Sequence, residues 1–144
     1  MKSKIINYDN QLIPGFIFTL RELHETKVLG ASMAKKLITQ GNLEYIKIGS
    51  KTHISRFELI RYFSKMTKNA ETEISITSYN EQFPNGFKFS LAELQDMKIL
   101  KTSMAKKMIA AGDIACVTTG NKLHITRASL IEYFEKNTFK KDVQ

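Results

Sequence analysis

The chain contains the same sequence unit twice. Residues 16–65 recur as residues 87–136 without a gap, and about half of the aligned positions are identical. The segment Ser32–Lys36, SMAKK, returns unchanged as Ser103–Lys107. A repeat of this length is a supersecondary unit that buries its apolar residues within itself or against its neighbour. The 144 residues therefore predict two small units, which we call copy one (1–68) and copy two (76–144), joined by a linker over 69–75.

The first part of each copy has the pattern of two consecutive helices. In copy one, Thr19 is a suitable N-cap for a short helix over 20–26. A second helix is expected over 31–40, because Met33 and Leu37, with Ala34 and Ile38 as further candidates, recur at helical spacing as an apolar stripe. We expect the side chains of Met33 and Leu37 to face the core. The order helix, tight turn, helix follows.

A β-hairpin and a third helix are expected next. Residues 43–48 partly alternate between apolar and polar, and residues 51–54 return after a Gly-Ser turn. Ser55 is a suitable cap for a third helix over 56–65. Short strands are also expected before each unit, at 3–8 and 74–79. The fold class predicted is thus mainly α with small β-hairpins (α+β).

Composition favours a polyanionic partner. The formal net charge is +8, from 22 basic and 14 acidic side chains, and small basic proteins commonly bind nucleic acid. The single cysteine, Cys116, excludes an internal disulfide and fits the reducing cytoplasm, where we expect the protein to be. No apolar run approaches the roughly 20 residues of a membrane span, so we expect no membrane partner.

The motifs resemble those of a known DNA-binding family. The stretch from Phe18 to Phe63 contains an aromatic-plus-hydroxyl start, the segment LITQGNL at Leu37–Leu43, the hairpin IKIGSK at Ile46–Lys51, and the closing LIRYF at Leu59–Phe63. This order is similar to the excisionase-type DNA-binding domain, a branch of the MerR-like winged-helix group. The resemblance implies two tandem winged helix-turn-helix repeats that form a pseudo-dimer on double-stranded DNA.

The second helix and the hairpin are the expected DNA contacts. In a helix-turn-helix the second helix enters the major groove with its exposed face, and lysines and hydroxyls contact phosphates or bases. The family's two wing arginines are replaced by Ser50-Lys51 in copy one and Asn121-Lys122 in copy two, and a lysine lacks their bidentate geometry. The predicted contacts are Ser32, Lys35, Lys36, Thr39, Lys47, Lys51, Thr52, His53, Arg56, Ser103, Lys106, Lys107, Lys122, His124 and Arg127.

Two kinds of residue in this set have an alternative interpretation. Arg56 and Arg127 open the third helix of each copy, where each can bind a phosphate or pair with a carboxylate. His53 and His124 are half-buried histidines that form local hydrogen bonds, or they contact phosphates. The histidines lack the partner spacing of a zinc site, and we expect no metal and no cofactor.

The two copies differ in charge. Residues 5–65 contain nine basic and five acidic side chains, whereas residues 76–136 contain eight and six. Copy one is therefore expected to bind DNA more strongly than copy two. The copies are related either by pseudo-twofold symmetry or by translation, and the sequence favours neither.

The expected function is that of a sequence-specific DNA-binding protein, either a transcription regulator or an excisionase-like architectural factor. It acts as a monomer with two recognition helices, and self-association is compatible with the sequence. A protein-interaction adaptor is the alternative, with Phe83, Phe87 and Phe89 of copy two as the apolar contacts, unless these residues pack in the core. A nonspecific coating of nucleic acid is a third possibility. Catalysis is not expected, because no nucleophile has a base nearby in both copies and no glycine-rich phosphate loop is present.

Overall fold

Residues 17–66 and residues 88–136 fold into short strands and helices in the same order. A computed structural model describes residues 5–74 and 76–140. Over these residues it is an α+β structure with seven α-helices. The helices are α1 Leu20–Glu25, α2 Ala31–Thr39, α3 Arg56–Met66, α4 Tyr79–Gln82, α5 Leu91–Asp96, α6 Thr102–Ala110 and α7 Arg127–Lys136. The strands are β1 Ile5–Ile6, β2 Ile17–Thr19, β3 Tyr45–Ile48, β4 Lys51–Ser55, β5 Glu71–Thr72, β6 Lys88–Ser90, β7 Val117–Thr119, β8 Lys122–Thr126 and β9 Thr138–Phe139.

Local capping explains where the first helix of each copy begins. The Thr19 side chain accepts a hydrogen bond from the Glu22 N–H, and the Glu22 carboxylate accepts one from the Thr19 N–H. Ser90 and Glu93 form the same capping box at the start of α5. Each box satisfies two backbone donors that a helix start otherwise leaves unpaired. The predicted order of helices and hairpin, and the cap at Ser55, are confirmed.

Two parts of the sequence-based prediction are wrong. Met33 does not face the core and is 48% exposed; the buried stripe of α2 is Ala34 and Leu37. The second short strand lies at 71–72, inside the predicted linker, and residues from Tyr79 form a helix instead. Strand β1 covers only part of the predicted 3–8 segment, whose first two residues, like residue 75 of the other segment, lie outside the described residues.

The sheets connect the two copies. In copy one, β2, β4 and β3 form an antiparallel sheet, and β9 from the end of copy two is added to the free edge of β3. The corresponding sheet of copy two, β6-β8-β7, has three strands among the described residues. Strand β1 pairs in parallel with β5. Copy one thus completes its sheet with a strand of copy two, and β7 lacks such a neighbour among the described residues.

The core of copy two includes side chains of copy one. Phe16 is 5% exposed, and its ring centroid lies 4.3 Å from that of Phe83 and 5.6 Å from that of Phe134. Ile46 and Ile48 belong to the same buried cluster. Because a unit of this size has a small core of its own, burial against the neighbour adds stability that neither copy supplies alone.

The equivalent residues of the two copies lie in different environments. Phe87 is the counterpart of Phe16, yet it is 77% exposed. Val117, the counterpart of the buried Ile46, is exposed as well. A twofold interface would use the same residues on both sides, whereas these copies use different ones. The copies are therefore arranged head to tail, which excludes the pseudo-twofold relation.

Candidate nucleic-acid interface

Helices α2 and α6 present the same side chains to solvent. Their buried faces are Ala34 with Leu37 in α2 and Ala105 with Met108 in α6. The predicted contact residues on both helices are exposed, namely Ser32, Lys35, Lys36, Thr39, Ser103, Lys106 and Lys107. The ion pairs among the described residues involve none of the four lysines. Each helix therefore carries two adjacent, uncompensated ammonium groups beside a hydroxyl group.

The starts of α2 and α6 are capped from the preceding helix. Gly30 and Lys101 occupy the N-cap positions and make no side-chain capping bond. Instead, the Nδ1 atom of His24 accepts a hydrogen bond from the Ala31 N–H at 3.1 Å. In copy two, the Oε1 atom of Gln95 accepts from the Thr102 N–H at 2.9 Å.

This cap was missed in the sequence. His24 and Gln95 share a repeat position but not a residue type, so they show no common chemistry when the copies are aligned. One sequence feature could have indicated the cap. An acceptor side chain stands seven residues before the first residue of a helix whose own N-cap residue has no acceptor side chain. The contact sets the angle between the two helices, because it joins the end of one to the beginning of the next.

The hairpin of copy one has one face turned toward copy two. Ile46 pairs with His53 and Ile48 pairs with Lys51 across the antiparallel register, so these four side chains share a face. The two isoleucines pack in the shared core. Lys47 and Thr52 pair with each other on the opposite face. Of the predicted contacts in this hairpin, only Lys47 and Thr52 point away from copy two.

A groove lies where this hairpin meets copy two. It has a volume of about 670 Å³ and is lined by side chains of both copies, including Lys51, His53, Lys101 and Met104. At the hairpin turn, a Cβ atom on Gly49 would lie 3.7 Å from the Met104 sulfur, which places the turn beside α6. The hairpin of copy one and helix α6 are therefore neighbouring parts of one surface.

The histidines have different local contacts. His53 is half-buried, and its Nδ1 atom lies 3.3 Å from the Lys51 carbonyl oxygen. Burial lowers the pKa of His53 from its usual value of 6.5, and it does so against the opposing effects of this hydrogen bond and of Glu22. His124 is half-buried too, and its Nδ1 atom has no hydrogen-bond partner among the described residues. The interpretation as a half-buried histidine with a local hydrogen bond thus fits His53 better than His124.

Arg56 and Arg127 are engaged within their own copies. Arg56 forms an ion pair with Asp9 at 2.5 Å and donates to the Ile13 carbonyl. Arg127 donates to the carbonyl oxygens of Pro84 and Phe83. The Arg56 guanidinium joins the segment before β2 to the start of α3. The Arg127 guanidinium joins the segment before β6 to the start of α7. The geometry supports this structural role for both arginines, and neither is among the contacts that we propose below.

One basic residue of copy one, Arg61, is paired within its own helix. Arg61 forms an ion pair with Glu58, whose side chain is only 2% exposed, and Glu58 also accepts a hydrogen bond from the Glu44 N–H. Copy two has Ser129 and Glu132 at these positions. Because Arg61 neutralises a buried carboxylate, it adds little to the positive potential of copy one.

The remaining predicted contact, Lys122, is exposed at the start of β8. The part of the chain that the structure describes holds no group of three His, Cys, Asp or Glu side chains able to bind a metal ion. It also contains no helix that is long and apolar enough to cross a membrane. No protein-family model, no curated protein and no solved structure matches this chain.

Proposed function

We propose that this protein binds double-stranded DNA through two winged helix-turn-helix units, with α2 and α6 as the recognition helices. The observation that carries the proposal is the repeated exposed face of these helices, on which a serine and two unpaired lysines stand opposite a buried apolar stripe. The proposed role is that of a transcription regulator or an excisionase-like architectural factor.

The contacts divide into positioning and reading groups. Lys35 and Lys36, with Lys106 and Lys107, neutralise phosphates, and each lysine displaces condensed counterions from the duplex. Ser32 and Ser103 contact bases or phosphates near the start of each helix. The wing residues contact the DNA backbone beside the major groove; they are Lys47, Thr52 and Lys122. Two further contacts come from the protein groove between the copies, next to α6, namely Lys51 and His53.

The head-to-tail arrangement determines the kind of DNA site. Two units related by a twofold axis bind inverted half-sites, because the operator then shares the symmetry of the protein. Phe16 is buried, whereas its counterpart Phe87 is exposed, and this difference excludes a twofold relation between the copies. We therefore expect two half-sites in the same orientation.

Copy one should contribute more to affinity than copy two. It has Thr39, Lys47 and Thr52 where copy two has Ala110, Thr118 and Leu123. Two hydroxyl contacts are therefore absent from the second unit, and a threonine replaces one lysine. Arg61 is not part of this difference, since its charge is compensated by Glu58.

The test is selection of bound duplexes from a randomised pool at two salt concentrations, followed by titration of the selected site. We expect a bipartite motif of direct repeats. The Lys35→Ala/Lys36→Ala variant should lower the slope of log K against log salt by about 1.8, at about 0.9 for each phosphate contact. The Lys106→Ala/Lys107→Ala variant should lower the slope similarly but reduce the affinity less.

A matched control removes the same charge elsewhere. Lys65 and Lys136 are exposed in the last turns of α3 and α7, so the Lys65→Ala/Lys136→Ala variant should leave the slope nearly unchanged. If the control variant lowered the slope by the same amount, DNA binding would depend on net charge alone and not on the lysines of α2 and α6. Absence of binding at low salt would refute the proposal.

The adaptor function is supported by one observation. Of the three phenylalanines that carry it, Phe83 and Phe89 are 3% and 5% exposed and pack in the core, whereas Phe87 is exposed. A single ring does not define a partner, but it identifies the surface that such a partner would cover. Failure of DNA binding together with loss of a protein contact on Phe87→Ala would favour this function.

A further inference from the structure

The contact between the copies leaves both of its halves available at the ends of the molecule. We call the surface of copy one that packs on copy two the head face; it comprises Phe16, Ile46, Ile48, Phe57 and the edge of β3. We call the complementary surface of copy two the tail face; it comprises Tyr79, Gln82, Phe83, Phe134 and β9. Because the sequence is repeated, copy two also has a head face, and copy one also has a tail face.

The head face of copy two is uncovered. Phe87 and Val117 are 77% and 40% exposed, and β7 has no neighbour on its outer edge among the described residues. Phe87 is the exposed large apolar side chain with the highest exposed fraction among the described residues. The counterparts of Phe87 and Val117 in copy one, Phe16 and Ile46, are buried in the contact between the copies.

The tail face of copy one shares two hydrogen bonds with the tail face that is in use. In copy two, the Tyr79 hydroxyl lies 2.7 Å from the Thr138 hydroxyl, which donates to the Phe134 carbonyl at 2.6 Å. In copy one, the Tyr8 and Thr67 hydroxyls lie 2.6 Å apart, and Thr67 donates to the Phe63 carbonyl at 2.6 Å. These two contacts therefore need not form anew on binding, which lowers its cost.

A polar contact of the internal interface also has its counterparts in place. The Gln82 side chain donates to the Phe16 carbonyl at 2.8 Å and accepts from the Phe57 N–H at 3.0 Å. Its counterpart Gln11 is exposed, and its side chain makes no hydrogen bond to another described residue. The matching groups of copy two are the Phe87 carbonyl and the Ala128 N–H, which lies in the first turn of α7, where helix geometry leaves amides without intrahelical partners.

We propose that the head face of one molecule binds the tail face of a second copy of this chain, in the geometry of the contact between copy one and copy two. Phe87 takes the place of Phe16 against Leu12 and Phe63, and Gln11 takes the place of Gln82. The interface is heterologous, so each added molecule presents a new free head face. Such contacts produce open chains unless a rotation closes them into a ring.

The association is weaker than the internal contact and reversible. Ala128 replaces Phe57, which packs edge-on against Tyr79 at 4.7 Å, and Lys68 replaces Phe139. With Leu12 in the place of Phe83, whose ring lies 4.3 Å from that of Phe16, three aromatic contacts are therefore lost. The internal contact also profits from the covalent linkage, which supplies a high effective concentration that separate molecules lack.

Sedimentation velocity of the full chain without DNA tests the proposal independently of its DNA binding. For the natural chain we expect the sedimentation coefficient to rise with concentration and to continue past the dimer value. Phe87→Glu blocks the head face, and Gln11→Arg blocks the tail face. Both positions are exposed, so thermal unfolding should be unaffected, and each variant should lower the association constant at least about tenfold.

The decisive measurement is a mixture of the two variants. Each retains one functional face, so an equimolar mixture should form dimers and nothing larger. The control is Leu123→Glu, which changes another exposed apolar residue. Leu123 lies on the face of the β7–β8 hairpin opposite Val117, so this variant should associate like the natural chain. A monomeric natural chain at the highest concentration would overturn the proposal. Undiminished assembly of Gln11→Arg would overturn it too, since Phe87 would then pair with itself.

Discussion

The two phenylalanines at one repeat position provide a direct test of the arrangement of the copies. Phe16→Ala and Phe87→Ala are the same chemical change at equivalent positions, one 5% and the other 77% exposed. With on the order of 200 Å² buried by a phenylalanine, the difference in burial is roughly 140 Å². At about 25 cal/mol per Å² this corresponds to about 3.5 kcal/mol, within the range of about 3–5 kcal/mol for a buried Phe→Ala substitution.

The free energy of unfolding from urea denaturation is the quantity to measure. We expect Phe16→Ala to lower it by about 3–4 kcal/mol, whereas Phe87→Ala should change it by less than about 0.5 kcal/mol, as for other surface substitutions. The experiment is best done at low protein concentration, so that any contact of Phe87 with a second molecule does not contribute. The slope against urea should be the same for both variants, which shows that the surface exposed on unfolding is unchanged.

Equal losses for the two variants would refute the head-to-tail arrangement, because a twofold interface would bury both rings equally. A negligible loss for both would mean that the copies do not pack through Phe16. A second consequence separates the interface from the fold of copy one. Phe16 belongs to copy one but packs on Phe83 and Phe134, so its removal should increase amide hydrogen exchange in α4 and α7 of copy two.

Two further predictions concern histidines. His24→Ala removes the acceptor for the Ala31 N–H and should cost about 1 kcal/mol of unfolding free energy, as for other helix caps, whereas His24→Gln should restore most of it, because Gln95 has this role in copy two; equal losses in the two variants would contradict the cap. Burial lowers the pKa of His53 below 6.5, so the folded protein binds fewer protons than the unfolded chain, and this contribution to stability is complete above about pH 6.5 and decreases as the pH falls below it. Urea midpoints at pH 7.5 and 5.5 should therefore differ less for His53→Gln than for the natural chain, and an identical difference in the two proteins would contradict the assignment.

The elements that local sequence determines were predicted well. The capping residues Thr19 and Ser55 marked the starts of α1 and α3, and the Gly-Ser turn marked the hairpin. These features depend on hydrogen bonds and backbone conformations within a few residues. The prediction for Met33 was wrong because helical spacing alone allowed a stripe through either Met33 or Ala34. The small Ala34 is buried because α2 packs closely at that position.

The candidate interface was only partly predictable. The exposed lysines of α2 and α6 followed from the repeat and the helical period. The two-residue Gly-Ser turn sets the register that puts Lys47 and Lys51 on opposite faces of the hairpin, but no local pattern indicates which of these faces packs against copy two. The internal engagement of Arg56 with Asp9 depends on a residue 47 positions away, and no local pattern indicates such a pairing.

The repeat, the order of elements in each copy and the side chains that both copies present on their second helix are all legible in the amino-acid sequence. How the copies meet is visible only in the folded molecule, since identical residues are compatible with both symmetric and head-to-tail packing. The choice depends on the few positions where the copies differ. Ile46, Ile48 and Phe57 make one head face apolar enough to be buried, whereas Val117, Thr119 and Ala128 leave the other exposed. Burial of apolar area against a complementary surface is a property of the assembled molecule, and it gave two related units different surroundings.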